Sequence, residues 1–146
     1  MKLIIIFGPP GVGKGTIADL IREKHPEITK LSTGDLLREN IQQGTGLGKK
    51  AKEYMDQGKL VPDDLVINMV SEKIKGMDNY ILDGFPRTVP QAEALGQIVN
   101  IDKVINFKAS EKIILQRLGG RLTCLNCKAI FHITNKPPKK DRICDN

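Results

Sequence analysis

The chain opens on an unbroken apolar, largely β-branched run, Leu3 to Phe7, bounded by Gly8 and Pro9. A run of that length without polar alternation predicts a strand buried on both faces of a parallel sheet. Gly15 to Lys24 then sets Ile17, Leu20 and Ile21 at helical spacing, and Pro26 stops the helix. Ile28 to Leu31 predicts a short second strand. From Ser32 to Gly76 the pattern is helical in three pieces. The first carries Leu36, Leu37 and Ile41 on one face, with Ser32 or Thr33 to cap it and Gly44 at its end. The second carries Leu47, Ala51, Tyr54 and Met55 and closes at Gly58. Pro62 opens the third, Asp63 and Asp64 suit its positive end, and Leu65, Val66, Met69, Val70 and Ile74 form its buried stripe. Tyr80 to Leu82 predicts a strand, and Thr88 caps a helix running to Asn100 with Pro90 in its first turn. Lys103 to Phe107 predicts another strand, and Ser110 caps a helix ending at Gly119-Gly120.

Strands alternating with helices in this way predict an α/β fold with a mostly parallel sheet. After Gly120 the texture changes to a short, Cys-bearing stretch rich in Pro and Lys, which reads as a small subdomain or lid. The expected division is a core over 1–31, a helical insertion over 32–61, the core again over 62–120, and the lid over 121–146. Hydrophobic residues at 40% and charged residues at 27% suit a globular chain of 146 residues. No apolar run approaches the ~20 residues of a membrane helix. The N-terminal run lacks a cleavage site and passes straight into glycines, so a cytoplasmic protein is expected.

The formal charge of +6 raises nucleic acid as a partner. Two Tyr, four Phe and no Trp leave few platforms for stacking bases, and the basic residues are scattered apart from Lys136, Lys139, Lys140 and Arg142. Anionic phosphates in a small-molecule cleft account for the charge equally well, and neither nucleic acid nor membrane is expected as a partner. Three cysteines in such a chain point to a metal site before a disulfide framework.

The strongest chemical signal is Gly8-Pro9-Pro10-Gly11-Val12-Gly13-Lys14-Gly15-Thr16 between the first strand and the first helix. A triphosphate needs converging backbone N–H groups, and glycines permit the close approach and unusual dihedrals this requires. The helix that follows adds its positive end, and Lys14 adds a mobile charge. The strict pattern puts Ser or Thr directly after Lys; here Gly15 intervenes before Thr16.

That variant loop resembles the nucleoside monophosphate kinases, and three later segments resemble the adenylate kinase family. These are Leu31-Ser32-Thr33-Gly34-Asp35-Leu36-Leu37-Arg38, Gly58-Lys59-Leu60-Val61-Pro62-Asp63, and Leu82-Asp83-Gly84-Phe85-Pro86-Arg87-Thr88 followed by Gln91. The resemblance implies a three-layer phosphate-loop fold whose 32–61 insertion binds AMP. It implies that Gly11, Val12, Gly13, Lys14, Gly15, Thr16, Arg117, Arg121, Ile130 and Phe131 hold ATP. It further implies that Thr33, Arg38, Lys59, Leu60, Val61, Gly84, Arg87 and Gln91 hold AMP. Lys14, Asp83, Arg87 and Arg121 become the catalytic group, with Asp83 placing Mg²⁺ through water. Two arginines suit a phosphate because the guanidinium fork binds it bidentately and keeps its charge. Taken alone, Arg38 fits a plain amphipathic helix face, Thr33 a helix cap, Gly84 a turn and Gln91 a surface helix position. The implied reaction is MgATP plus AMP giving two ADP, in an enzyme that is monomeric when complete.

Cys124-Leu125-Asn126-Cys127 and Cys144 have the texture of a zinc ribbon, and a structural zinc wants four ligands. In the family pattern the fourth falls one position past Asn146. Within the chain His132 is the other candidate, although the resemblance turns its equivalent towards nucleotide. The family's chain also continues into further lid, a last strand and a C-terminal helix, so the 146-residue piece is expected to be inactive or nearly so. Two alternatives stay open: a kinase for UMP or CMP, and a non-catalytic nucleotide or nucleic-acid binder built on the ribbon. A metal-stapled interaction module ranks behind both.

Overall fold

The computed structural model describes residues 2–127, 129–140 and 142–145. Its elements in chain order are β1 Lys2–Phe7, α1 Lys14–Lys24, β2 Thr29–Ser32, α2 Thr33–Gln43, α3 Gly46–Asp56 and α4 Asp63–Ile74. They continue with β3 Asn79–Asp83, α5 Val89–Ile98, β4 Lys103–Asn106, α6 Glu111–Gly119, β5 Arg121–Thr123 and β6 Ile130–His132. The chain divides into two compact units, one of Met1–Phe7 and Lys14–Asn106, the other of Gly8–Gly13 and Phe107–Asn146.

The first unit holds a four-stranded sheet in the order β2-β3-β1-β4, parallel throughout. Leu3 and Ile5 of β1, Tyr80 and Leu82 of β3, and Leu31 of β2 point to one face, as strand alternation requires. There they meet Leu36, Ala51, Val66, Met69, Val70, Ile74 and Leu95 from α2 to α5 in one core. Ile6 and Ile81 are also buried, and so is Ala18 of α1, which packs against β2 and β3. The central strands are therefore covered on both sides, as their unbroken apolar runs predict. The α/β class and the parallel sheet are as expected.

Several local expectations differ. Of α1, Ala18 alone is buried; Ile17 and Leu20 remain 39% and 46% exposed. The edge strand β4 is exposed along its length, with Val104 at 60%. Apolar spacing marks which face a helix can bury, but burial also needs a neighbouring layer, and that is a tertiary fact. Ser32 and Ser110 occupy the N-cap positions of α2 and α6 without a side-chain capping bond. The working caps are Thr45, which accepts from the Gly48 N–H at 2.9 Å, and Thr88, which accepts from the Gln91 N–H. Gly44 closes α2 in the left-handed conformation, as read from its sequence position.

In the second unit α6 precedes a short antiparallel ribbon of β5 and β6, which pairs Arg121 with His132, Leu122 with Phe131 and Thr123 with Ile130.

Candidate functional site

Parallel α/β sheets present ligands at the carboxyl ends of their strands, and the candidate residues of the first unit collect there. β2 ends into Thr33, and β3 ends at Asp83 followed by Gly84. Gly84 has φ +84°, a left-handed conformation that turns its carbonyl to accept two bonds. One comes from Thr33 Oγ1 at 3.0 Å and the other from Arg87 Nε at 2.7 Å. A Cβ on Gly84 would stand 2.9 Å from Arg87 Nη2 and 3.1 Å from Thr33 Oγ1, so the two side chains close over a position that only glycine fills.

Thr33 is 7% exposed and does not cap α2; its hydroxyl is committed to Gly84. Gln91 is 5% exposed, not a surface helix residue. Its Oε1 accepts from the Arg87 backbone N–H at 2.8 Å, and its Nε2 donates to Asp63 Oδ1 at 2.6 Å. Asp63 Oδ2 accepts from the Thr88 hydroxyl at 2.7 Å. Arg38 pairs with Asp35 one turn earlier on α2, and its Nη1 lies 3.4 Å from the Cβ position of Gly34. Lys59 donates to Gln57 Oε1 at 2.8 Å, Leu60 is 94% exposed, and Val61 packs against the main core. The structure therefore brings Thr33, Gly84, Arg87 and Gln91 into one bonded cluster, with Val61 in the chain just before Asp63, while Leu60 makes no packing contact of that kind.

A second group lies at the start of α1. Lys14 is its first residue and Thr16 an exposed one in the first turn. Asp83 Oδ2 is 3.5 Å and Lys30 Nζ 3.7 Å from the Cβ position of Gly15. Lys30 also donates to Asp19 at 2.9 Å and to the Gly15 carbonyl at 3.4 Å. Burial pushes the Asp83 carboxyl above its ordinary range, Asp19 adds to the shift, and Lys30, Lys14 and Arg87 act against it. Asp83 is half-buried, and its partial burial outweighs the three neighbouring cations. Neither Lys30 nor the bridging role of Asp63 is visible from sequence. Lys30 reads as one more basic residue on a strand and Asp63 as a helix-end acid, because their partners lie 11 to 53 and 25 to 28 positions away.

In the second unit the glycine loop has its own support. A Cβ on Gly8 would come within 2.5 Å of the Phe107 carbonyl oxygen, a clash against backbone. Arg117 of α6 donates from Nη1 to the Val12 carbonyl at 2.8 Å, and that nitrogen is 3.6 Å from the Cβ position of Gly13. Arg117 therefore lies against Val12 and Gly13 of the loop, while Gly11 faces Leu118 and Ile114. Arg121 is exposed on β5, Ile130 is 48% exposed and Phe131 is buried.

The sulfur atoms of Cys124, Cys127 and Cys144 lie within 4.8 Å of one another, with 3.4 Å between Cys127 and Cys144. Thiolates about 2.3 Å from a tetrahedral zinc stand roughly 3.8 Å apart, so the donor set fits that metal. Backbone N–H groups of Cys127 and Asn126 donate to Cys124 and, with the neighbouring thiols, pull it down to about 7. His132 is outside the cluster: its Nδ1 accepts from the backbone of Thr134 and Asn135, and its ring lies against Gly120. Asn146 is outside the described residues.

A glycine loop between a buried strand and a helix, on a parallel sheet with a basic cluster at its carboxyl edge, defines the chain as a phosphate-loop α/β protein. The adenylate kinase family profile matches residues 6–145. The chain is 50% identical to an adenylate kinase of Archaeoglobus fulgidus, 47% to one of Caldicellulosiruptor bescii and 48% to one of Methanosarcina barkeri. Each comparison covers 97% of this chain and 69% of the relative. This chain belongs to the adenylate kinase family, a group of nucleoside monophosphate kinases.

Proposed function

We propose that the chain carries the acceptor and donor sites of an enzyme that transfers a phosphoryl group from MgATP to AMP, giving two ADP. The observation that carries this is the cluster of Thr33, Gly84, Arg87 and Gln91 at the carboxyl ends of β2 and β3. Two guanidinium groups, Arg87 and Arg38, neutralise the acceptor phosphate, while Thr33, Val61, Gly84 and Gln91 contact the base, with Lys59 and Leu60 in the flanking stretch. Gly11 to Thr16 cradle the donor phosphates, Lys14 follows the migrating group, and Arg117 and Arg121 spread its charge, with Ile130 and Phe131 against the donor nucleoside. Asp83 and Thr16 would hold a hydrated Mg²⁺, which would supply positive charge to favour departure of ADP.

Transfer is direct and in line. The acceptor phosphate oxygen forms the new P–O bond as the bond to the donor's β-phosphate oxygen breaks, so the protein's part is alignment and charge neutralisation. Residues 32–61 form the acceptor-binding insertion on a core of 1–31 and 62–120, and 121–146 act as a lid segment that keeps out water, a competing acceptor. Cys124, Cys127 and Cys144 hold a structural zinc there. No described helix is long and apolar enough to cross a membrane; our reading is of a cytoplasmic enzyme, monomeric when complete.

We also infer that the 146 residues by themselves turn over little or not at all, since β4 stands exposed at the sheet edge. A coupled assay of ADP formation tests both parts. AMP is expected to be the preferred acceptor wherever turnover is measurable. Preference for UMP or CMP would overturn the acceptor assignment, and ordinary turnover by this chain would overturn the inference of inactivity.

A further inference from the structure

Gln91 is held at both ends of its amide. A glutamine amide has two N–H donors on nitrogen and two acceptor positions on oxygen. Here one donor goes to Asp63 Oδ1 at 2.6 Å and one acceptor position takes the Arg87 N–H at 2.8 Å. Rotating the amide by half a turn would set its oxygen against the Asp63 carboxylate and its N–H groups against the Arg87 N–H. Both contacts would become repulsive in a site where Gln91 is 5% exposed. Asp63 is itself fixed, because its other oxygen accepts from Thr88 Oγ1 at 2.7 Å and it lies in the first turn of α4. Arg87 N–H alone does not compel this orientation with the same force: it supplies one neutral bond, whereas the carboxylate supplies a charged one, about twice as strong.

We infer that Asp63 is a positioning residue that fixes the direction of the Gln91 amide and so makes the acceptor site selective for adenine over 6-oxopurines. The inference rests on the acceptor assignment proposed above. With both committed bonds in place, Gln91 retains one donor at nitrogen and one acceptor position at oxygen. Adenine offers the complement, an acceptor at N1 beside a donor at N6. Hypoxanthine and guanine invert that edge, with a donor at N1 and an acceptor at O6, and match only the rotated amide. Sites built on buried hydrogen bonds reject inverted partners strongly because the mismatched groups have no water to turn to. Asp63 touches no substrate in this scheme; its effect passes through Gln91.

The test is direct binding of AMP and IMP to the whole chain by calorimetry, in the wild type and in Asp63→Asn and Asp63→Glu. Wild type is expected to prefer AMP. Asp63→Asn is expected to narrow the AMP-to-IMP ratio by roughly tenfold or more, because asparagine can serve either amide direction. Asp63→Glu, which keeps the carboxylate, is expected to recover part of the ratio. A purely structural role would weaken AMP and IMP by the same factor, and an unchanged ratio in Asp63→Asn overturns the inference while leaving the acceptor site standing. Equal binding of AMP and IMP by wild type does the same. Failure of wild type to bind any monophosphate overturns the acceptor assignment as well. If Asp63→Asn does not fold, the wild-type spectrum decides: one Gln91 side-chain N–H proton is expected far downfield and slow to exchange, and two ordinary, fast-exchanging protons overturn the proposal.

Discussion

Replacing Gly84 by alanine tests the acceptor cluster at its narrowest point. Three costs can be worked out from the structure. The backbone at φ +84° is left-handed, which costs a non-glycine residue ~1–2 kcal/mol. The new methyl group would stand 2.9 Å from Arg87 Nη2 and 3.1 Å from Thr33 Oγ1, and both must move. Each of those side chains is bonded to the Gly84 carbonyl, at 2.7 and 3.0 Å, and each bond contributes about 0.5–1.5 kcal/mol. Arg87 is partly solvated, so its bond belongs at the lower end of that range. The total is roughly 2–4 kcal/mol, which for a chain of this size lowers the melting midpoint by about 6–14 °C. AMP affinity is expected to fall by about tenfold or more, equivalent to ~1.4 kcal/mol, since the displaced groups are the proposed ligands. Denaturant and thermal unfolding, with AMP calorimetry beside them, measure both effects. A double-mutant cycle with Arg87→Ala isolates the collision: shortening the arginine should relieve about 1 kcal/mol of the Gly84→Ala cost. The reasoning is refuted if the two costs simply add, within ~0.5 kcal/mol, or if Gly84→Ala alone costs less than that.

Asp83→Asn is expected to stabilise the chain at pH 7 and to abolish protection by MgATP. The Asp83 carboxyl is raised when folded, so its favourable contribution is complete below the ordinary carboxylate range and is lost as pH rises through the folded value. Unfolding measured from pH 3 to 8 should therefore show wild type losing stability relative to Asp83→Asn as pH rises, and the opposite trend would sink the assignment. Arg117→Ala removes the bond to the Val12 carbonyl and should weaken binding of an ATP analogue on the order of tenfold while leaving AMP affinity unchanged. A fluorescent-analogue titration measures it, and equal losses for both nucleotides would contradict the separation. Elemental analysis should find about one zinc per chain, lost on Cys127→Ser, and cobalt in its place should show thiolate-to-metal absorption; neither appears if the three sulfurs bind no metal.

The sheet, the glycine loop and the order of elements are legible in the sequence because each depends on local pattern: an apolar run, glycine spacing, helical period. What escapes it depends on distant partners. Ile17 and Leu20 have the spacing of a buried stripe, yet remain 39% and 46% exposed. Gln91 looks like a surface position and is buried because Asp63 and the Arg87 backbone, 28 and 4 positions away, meet it. Thr33 looks like a cap and bonds instead to Gly84, 51 positions on. The cysteine spacing foresees a cluster that the structure brings within metal-binding range, while His132, the other candidate, is turned away by its bonds to Thr134 and Asn135. The phosphate role proposed for Arg38 and Arg87 comes only from the family resemblance; geometry adds the bonded setting of Arg87 and leaves Arg38 beside Asp35.

The most direct test of the acceptor assignment is competition among AMP, UMP and CMP for this chain, followed by backbone and side-chain chemical shifts. AMP is expected to bind most tightly and to shift Thr33, Gly84, Arg87 and Gln91 together, with Arg87→Ala abolishing the response. Tighter binding of UMP or CMP, or AMP shifts that leave those four residues unmoved, would contradict it.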